Sequence, residues 1–334
     1  MSRIHVLHPG MHTTVQDLGR PGWQRHGVTP GGALDERALR LANLLVGNPE
    51  GAAALEITLA GPTLRFASEA LVAVGGGQFE VTAAGRSVPA WRPVWLAEGT
   101  ELAIGAARAG CRVYLAIAGG LAGPRVLGGR GTHLAARFGG FGGRSLRAGD
   151  VLKSGPASAW ARRMAGVLAG GGRCAAARWE VGAEARPAYS ESPTVRVMRG
   201  AQWDWFGAEI GDRFLRERFT SMPRSDRMGL RLSPVGAPLV AGPVPEMISE
   251  GVAAGTIQVP PDGRPIILLA DRPTLGGYPK IANVATVDLP LLAQLRPGAT
   301  VGFREVSIAE AQELWLAAER LAATVKQGIA LHTA

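Results

Sequence analysis

Apolar residues along this chain fall in short runs separated by glycine, proline and small polar residues. Runs at 4–7, 53–59, 64–66, 71–74, 79–82, 94–96, 102–104 and 113–118 read as strands, with Ala84-Gly85 and Glu98-Gly99 as hairpin turns. A second series includes 195–198 and 265–270 and closes at 301–306. Helical spacing is rarer. Asp35 stands as an N-cap before Ala38, Leu41, Ala42 and Leu45 on one face, and Gly47, Asn48 and Pro49 stop that helix. Ser307 and Glu310 form a capping box at the start of a terminal helix over 307–326, before Gly328. The pattern predicts a mainly β protein with a few short helices: one domain over 1–155, a linker over 156–190 rich in alanine, glycine and arginine with room for a partly helical bridge around 160–168, and a second domain over 191–330 ending in the helix. No α/β alternation suggests a Rossmann sheet.

Composition narrows the picture. A chain of 334 residues that is 46% hydrophobic can bury two cores, and 47 glycines and 23 prolines suit a turn-rich β architecture. The net charge of +9 raises nucleic-acid binding, but the arginines are scattered, the only lysines are Lys153, Lys280 and Lys326, and no basic run is interleaved with aromatics. A basic face for a protein partner, or simply an arginine-favouring genome, with no nucleic acid, is the expectation. Cys111 and Cys174 have no metal-ligand spacing and read as reduced thiols, and the six histidines form no zinc motif. No apolar run has membrane-spanning length and the N-terminus lacks a signal-peptide core, so a cytoplasmic protein with no membrane association is expected.

Three polar stretches carry candidate chemistry. Residues 12–32 crowd His12, Gln16, Asp17, Arg20 and His26 into what reads as a solvated loop leading to Asp35. Residues 119–149 form a glycine-rich loop with Arg125, Arg130, Arg137, Arg144 and Arg147, suited to a carboxylate or phosphate but lacking the Gly-Lys-Ser/Thr of a P-loop. Residues 255–284 deliver Asp271 and Arg272 from a strand into a turn with Gly276, Gly277, Tyr278 and Lys280. Plainer readings stand beside these: Asp35 as a cap, Asp271 paired with Arg272, Asp226 paired with Arg227, and the 202–206 aromatics as a core anchor or a subunit contact, while Glu56 reads either as a buried carboxylate or, more commonly, as an edge-facing charge. No Ser-His-Asp arrangement is legible.

The wording TTVQDLGRPGWQRHGVTPGGALD, ANLLVGN, ARFGGFGGRSLRAGD, QWDWF, SDRMGLRL, IQVPPDG and LLADRPTLGGYPKIANV resembles, block by block and in order, the allophanate hydrolase subunit 2 family, whose members are also called 5-oxoprolinase C subunits or biotin-dependent carboxyltransferase-like proteins. The resemblance implies two cyclophilin-like β-barrel domains. It implies the C subunit of an ATP-dependent 5-oxoprolinase that converts 5-oxo-L-proline to L-glutamate, working with a subunit 1/B protein and a LamB/YcsF-like A subunit. The alternatives it implies are the carboxyltransferase part of a urea or amide carboxylase, with biotin on a separate chain, and a non-catalytic regulatory partner. It places Asp35 and Asp271 as catalytic groups. Substrate contacts would come from Gln16, Arg20, Arg137, Arg144, Gln258, Arg272, Thr274, Gly276, Gly277, Tyr278 and Lys280, with no metal. Gly131 and His133 stand where serine and tyrosine are usual, and Pro273 and Leu275 where glutamine and threonine are.

Overall fold

Most of the short apolar runs become strands because alternate side chains along them find a buried face. In a computed structural model describing residues 2–240 and 247–332, the chain divides into two units. One comprises Met1–Arg20, Gly31–Pro187 and Arg320–Ala334, the other Pro21–Pro30 and Ala188–Glu319.

The first unit contains β1 (Arg3–His8), β2 (His12–Gln16), α1 (Glu36–Leu45), β3 (Ala54–Thr58), β4 (Thr63–Phe66), β5 (Ala70–Ala83), β6 (Arg86–Ser87), β7 (Val94–Leu96), β8 (Glu101–Ile117), β9 (Val151–Lys153), α2 (Ala159–Leu168) and β10 (Cys174–Ala176). Its ten-stranded sheet runs β10-β7-β5-β8-β4-β1-β9, with β2 joined through β3 and β6 hung on β5. Ile4, Leu55, Ile57, Phe66, Val72, Val113 and Leu115 are among the side chains of its buried core. Four of the predicted strands are two long ones. Runs 71–74 and 79–82 fuse into β5, and 102–104 and 113–118 into β8, because the small and polar residues between them still pair across the ladder. Register shifts between Gly76 and Val81 absorb the irregularity, and Gly76 has φ 119° with its missing Cβ directed at the Arg112 carbonyl.

Two expectations change here. The 12–32 stretch is not all solvated loop: β2 pairs in register with β3 from His12↔Thr58 to Gln16↔Ala54, and Thr13, Thr14, Gln16, Asp17 and Arg20 are buried. Its low apolar content misleads because its threonines and charges are satisfied inside the fold by hydrogen bonds. The 156–190 stretch holds α2 where the helical bridge is read, capped by the Ser158 hydroxyl accepting from Ala161 N–H, and it also holds β10, which extends the sheet by pairing with β7. Cys174 and Cys111 are buried thiols outside any disulfide, and burial pushes the Cys174 pKa up.

The second unit contains β11 (Thr194–Arg199), α3 (Gly207–Arg216), β12 (Phe219–Ser221), β13 (Gly229–Pro234), β14 (Glu250–Gly251), β15 (Thr256–Gln258), β16 (Ile266–Leu268), β17 (Leu275–Gly276), β18 (Lys280–Val284), α4 (Leu289–Ala293) and β19 (Thr300–Glu305), and the sequence continues into α5 (Ile308–Leu331). Seven strands close a barrel in the order β11-β18-β15-β16-β13-β12-β19, and β14 pairs with β17 as a separate two-stranded flap. Phe214 on α3 stacks on Phe303 at 4.4 Å, Phe219 lies 5.3 Å from Phe303, and Trp203 meets Phe214 edge-on. The 202–206 aromatics thus serve the core mainly through Trp203 and buried Phe206, while Trp205 is exposed. The Ser307 hydroxyl accepts from Glu310 N–H at 3.0 Å, the serine half of the predicted capping box, while the Glu310 carboxylate accepts from Arg304 at 3.2 Å. The helix runs through Gly328 to Leu331, so that glycine does not terminate it. Among the described residues no helix is long and apolar enough to cross a membrane.

Candidate functional site

In the first unit the start of α1 is held by a buried polar cluster. Glu56 on β3 and Tyr114 on β8 are register partners, and the Tyr114 hydroxyl donates to Glu56 Oε2 at 2.7 Å. Leu34 N–H donates to the same carboxylate oxygen at 2.9 Å, and Asp35 N–H donates to the Tyr114 hydroxyl at 2.8 Å. Asp35 caps the helix by accepting from Ala38 N–H at 2.9 Å. Asp35, Glu56 and Tyr114 are at most 1% exposed. Burial, followed by the charge of Glu56, raises the Tyr114 pKa well above its ordinary value, so the phenol stays a neutral donor. Glu56 is therefore not an edge-facing charge. Tyr114 escapes sequence reasoning because it lies in an apolar strand with only its cross-strand pairing to mark it.

Gln16, Asp17 and Arg20 anchor the glycine-rich loop. The Gln16 amide donates to Thr132 O at 3.2 Å, Asp17 accepts from Gly131 N–H at 3.1 Å and from Arg130 N–H, and Arg20 donates to the Gly131 carbonyl. The Arg20 guanidinium also lies 4.7 Å from the Phe138 ring centroid, while His133 stacks on Phe138 at 5.1 Å. His133 Nδ1 accepts from Ala136 N–H at 3.0 Å, which gives the histidine at this position a role inside the loop. Positive φ recurs at Arg137, Gly139, Gly140, Gly142 and Gly143. A Cβ at Gly140 would strike Thr132 Oγ1, and one at Gly143 would strike the Arg137 backbone.

Arg144 is held bidentately by Asp150, both bonds 2.8 Å, and lies 5.1 Å from the Phe141 ring centroid. The guanidinium, together with Arg147 N–H, holds the Asp150 carboxyl below the usual carboxylate range. A depressed folded-state pKa stabilises the fold above the unfolded value, and that contribution is lost as pH falls through the folded value. Asp150→Asn is accordingly expected to flatten the decline of stability below about pH 4, measured by denaturant midpoints across a pH series.

The second unit divides the predicted residues of 255–284 among three groupings. Asp271 is paired with Arg227, not Arg272: Arg227 Nε donates to Oδ2 at 2.8 Å and Nη2 to Oδ1 at 3.1 Å, both side chains are at most 8% exposed, and Asp271 N–H donates to the Arg227 carbonyl. Asp226 instead accepts from Met228 N–H and Gly229 N–H, closing the turn before β13. Arg272 reaches the Val252 and Leu269 carbonyls, and the Thr274 carbonyl accepts from Val252 N–H. The second grouping is Gln258 with the glycine turn. Gln258 donates to the Tyr278 carbonyl at 3.3 Å, and a Cβ on Gly276 would collide with the Gln258 amide. Gly277 and Tyr278 are exposed.

The third grouping is Lys280, 6% exposed, whose ammonium donates to Glu250 Oε1 at 2.7 Å. Gln202 donates to the same oxygen at 3.1 Å and accepts from Lys280 N–H, so one lysine, one glutamate and one glutamine tie β18 to the flap. Lys280 holds the Glu250 carboxyl below its ordinary range. Among the described residues no cluster of three or more histidine, cysteine, aspartate or glutamate side chains could hold a metal ion. Nothing local in the sequence marks Arg227, Glu250 and Gln202 as site residues, and only the pairing of distant segments reveals them.

Residues 26–305 match the carboxyltransferase domain family, subdomains A and B. The chain is 36% identical over 311 residues to the 5-oxoprolinase C subunit of Haemophilus influenzae, covering 93% of this chain and 94% of that one. The Escherichia coli 5-oxoprolinase C subunit is also 36% identical, over 92% and 93% of the two chains. The urea carboxylase structure of Kluyveromyces lactis superposes with a TM-score of 0.85 at 31% identity over 98% of this chain, which spans 29% of that longer one.

Proposed function

The chain belongs to the carboxyltransferase domain family, subdomains A and B, and on that premise we propose that it is the C subunit of an ATP-dependent 5-oxoprolinase. The observation that carries this reading is the agreement with two proteins named as the 5-oxoprolinase C subunit over more than nine-tenths of both partners. Urea amidolyase of Lachancea kluyveri matches at 32%, where this chain spans 18% of the longer protein, and this supports the alternative of an amide carboxylase component.

In the proposed reaction, 5-oxo-L-proline is opened to L-glutamate in the cytoplasm by this chain together with a subunit 1/B protein and a LamB/YcsF-like A subunit. Asp271 is oriented by Arg227, and an ionised carboxylate held that way can accept a further hydrogen bond from a lactam N–H. Gln258, Arg272, Thr274 and the Gly276-Gly277-Tyr278 turn are the remaining proposed substrate-side groups of this second unit, with Lys280 fixing the flap that carries Gly276. ATP chemistry is assigned to the partner subunits. The sequence lacks a P-loop lysine motif. ATP would supply activation of the lactam oxygen, while this chain's residues bind and orient the amide.

The test is ATP-dependent glutamate release from 5-oxoproline by the complex co-purified with its neighbouring subunits. Release that requires this chain supports the proposal. An intact complex that releases none, yet carboxylates an amide when given a biotinylated partner, would replace it with the carboxylase reading.

A further inference from the structure

The glycine-rich loop forms one wall of a cavity of about 710 Å³, whose other walls are residues 122–124 and β9. Three cationic side chains line it, Arg137, Arg144 and Lys153, and no aspartate or glutamate does. Neither Asp35 nor Gln16 nor Arg20 lines it, so it is separate from the α1 cluster and from the anchors behind the loop. The three cations are not equivalent. Arg144 is neutralised by Asp150, with its guanidinium beside Phe141, and acts as a fixed wall. Arg137 and Lys153 are exposed, and among the described residues neither side chain has an acceptor or a carboxylate partner.

Arg137 also carries φ 54°, a left-handed backbone that non-glycine residues seldom adopt. The Gly143 position packs so closely on the Arg137 backbone that a Cβ could not fit, so the loop fixes this conformation. A Cβ on Gly139, Gly140 or Gly143 would strike Gly131, Thr132 or the Arg137 backbone, so these glycines let the wall pack tightly on itself, whereas at Gly142 the space is open and a ligand can approach the backbone. Gathering cations around a concave surface without a counter-charge is unfavourable, and an anion entering it relieves that repulsion.

We propose that this cavity binds the oxyanion group of a small organic or inorganic acid, a phosphate or a carboxylate, with Arg137 and Lys153 as the two cations that contact it. The cavity is built entirely from the first unit. Arginine offers a planar fork to two oxygens and lysine a point charge to a third, a combination that selects trigonal or tetrahedral oxyanions over neutral amides.

The test uses the full chain at low ionic strength and calorimetric titration with inorganic pyrophosphate, with L-glutamate, and with acetamide as a neutral control. At least one of the two anions is expected to bind with a Kd below about 1 mM, and acetamide not at all. Preference for pyrophosphate identifies a phosphate site, and preference for glutamate a carboxylate site. Arg137→Ala with Lys153→Ala is expected to weaken binding at least about tenfold, whereas Arg125→Ala, which removes an exposed charge outside the cavity lining, leaves it within about twofold. Both variants alter exposed side chains, and circular dichroism confirms that they fold. Absence of binding by either anion, or equal weakening by Arg125→Ala and the double variant, would overturn the proposal. Glutamate release by the complex is a separate readout, so loss of that activity with anion binding intact tells against the proposed reaction and not against this site.

Discussion

Asp271→Asn is expected to lower the melting temperature by roughly 10 °C, because it strips the compensating charge from buried Arg227. Removing one partner of a buried, bidentate ion pair costs about 3–5 kcal/mol, and in a domain of this size each kcal/mol is worth about 2–4 °C. Arg227 and Asp271 meet the conditions for that cost: two bonds of 2.8 and 3.1 Å, and side chains 7% and 8% exposed. Loss of activity in Asp271→Asn therefore does not by itself make Asp271 catalytic. The paired replacement Arg227→Met with Asp271→Leu removes both charges while keeping most of the volume, and is expected to regain most of the lost stability. Thermal unfolding of the three proteins, alongside glutamate release by the complex, separates the roles. A stable but inactive double variant supports a substrate-side role for Asp271, whereas a stable and active one makes the ion pair purely architectural. A single variant with an unchanged melting temperature would sink the stability argument.

Glu56→Ala is the second large effect. It leaves the Tyr114 hydroxyl and Leu34 N–H without the acceptor they share inside the fold, at about 1–3 kcal/mol for each buried donor. Tyr114→Phe removes the acceptor for Asp35 N–H and one donor to Glu56, with an expected cost of about 1–3 kcal/mol. Because the two side chains bond to each other, the double variant is expected to be less destabilised than the sum of the singles by at least about 0.5 kcal/mol. Urea unfolding of the four proteins measures that coupling. Additive losses would mean that Glu56 and Tyr114 hold the start of α1 independently.

Chain order made much of the architecture legible. The Asp35 cap, the stop at Gly47 and the Ser307 cap are local devices, and each is realised where the residues imply it. Strand 94–96 and the turn at Ala84-Gly85 are likewise read from neighbouring residues alone, and both glycine and alanine there have positive φ. Legibility fails where the deciding interaction is remote. β2 looks polar because its partner β3 and the glycine-rich loop supply its hydrogen bonds. β10 sits in a stretch of alanine and glycine that is ordered by pairing with β7. Asp226 and Arg227 are adjacent and opposite in charge, yet the turn uses Asp226 for backbone donors and sends Arg227 across to Asp271, 44 residues away.

The mainly β character, the capped helices, the glycine-rich loop and the family all follow from the order of residues, since they rest on local propensity and on motif wording. Which charges are paired and which remain exposed follows from the fold alone. Folding joined Asp271 to Arg227, Arg144 to Asp150, Lys280 to Glu250, and Glu56 to Tyr114, leaving Arg137 and Lys153 at a cavity. The reason is physical: a charge is satisfied by whatever group the fold brings within about 3 Å of it, and spacing along the chain does not fix that distance.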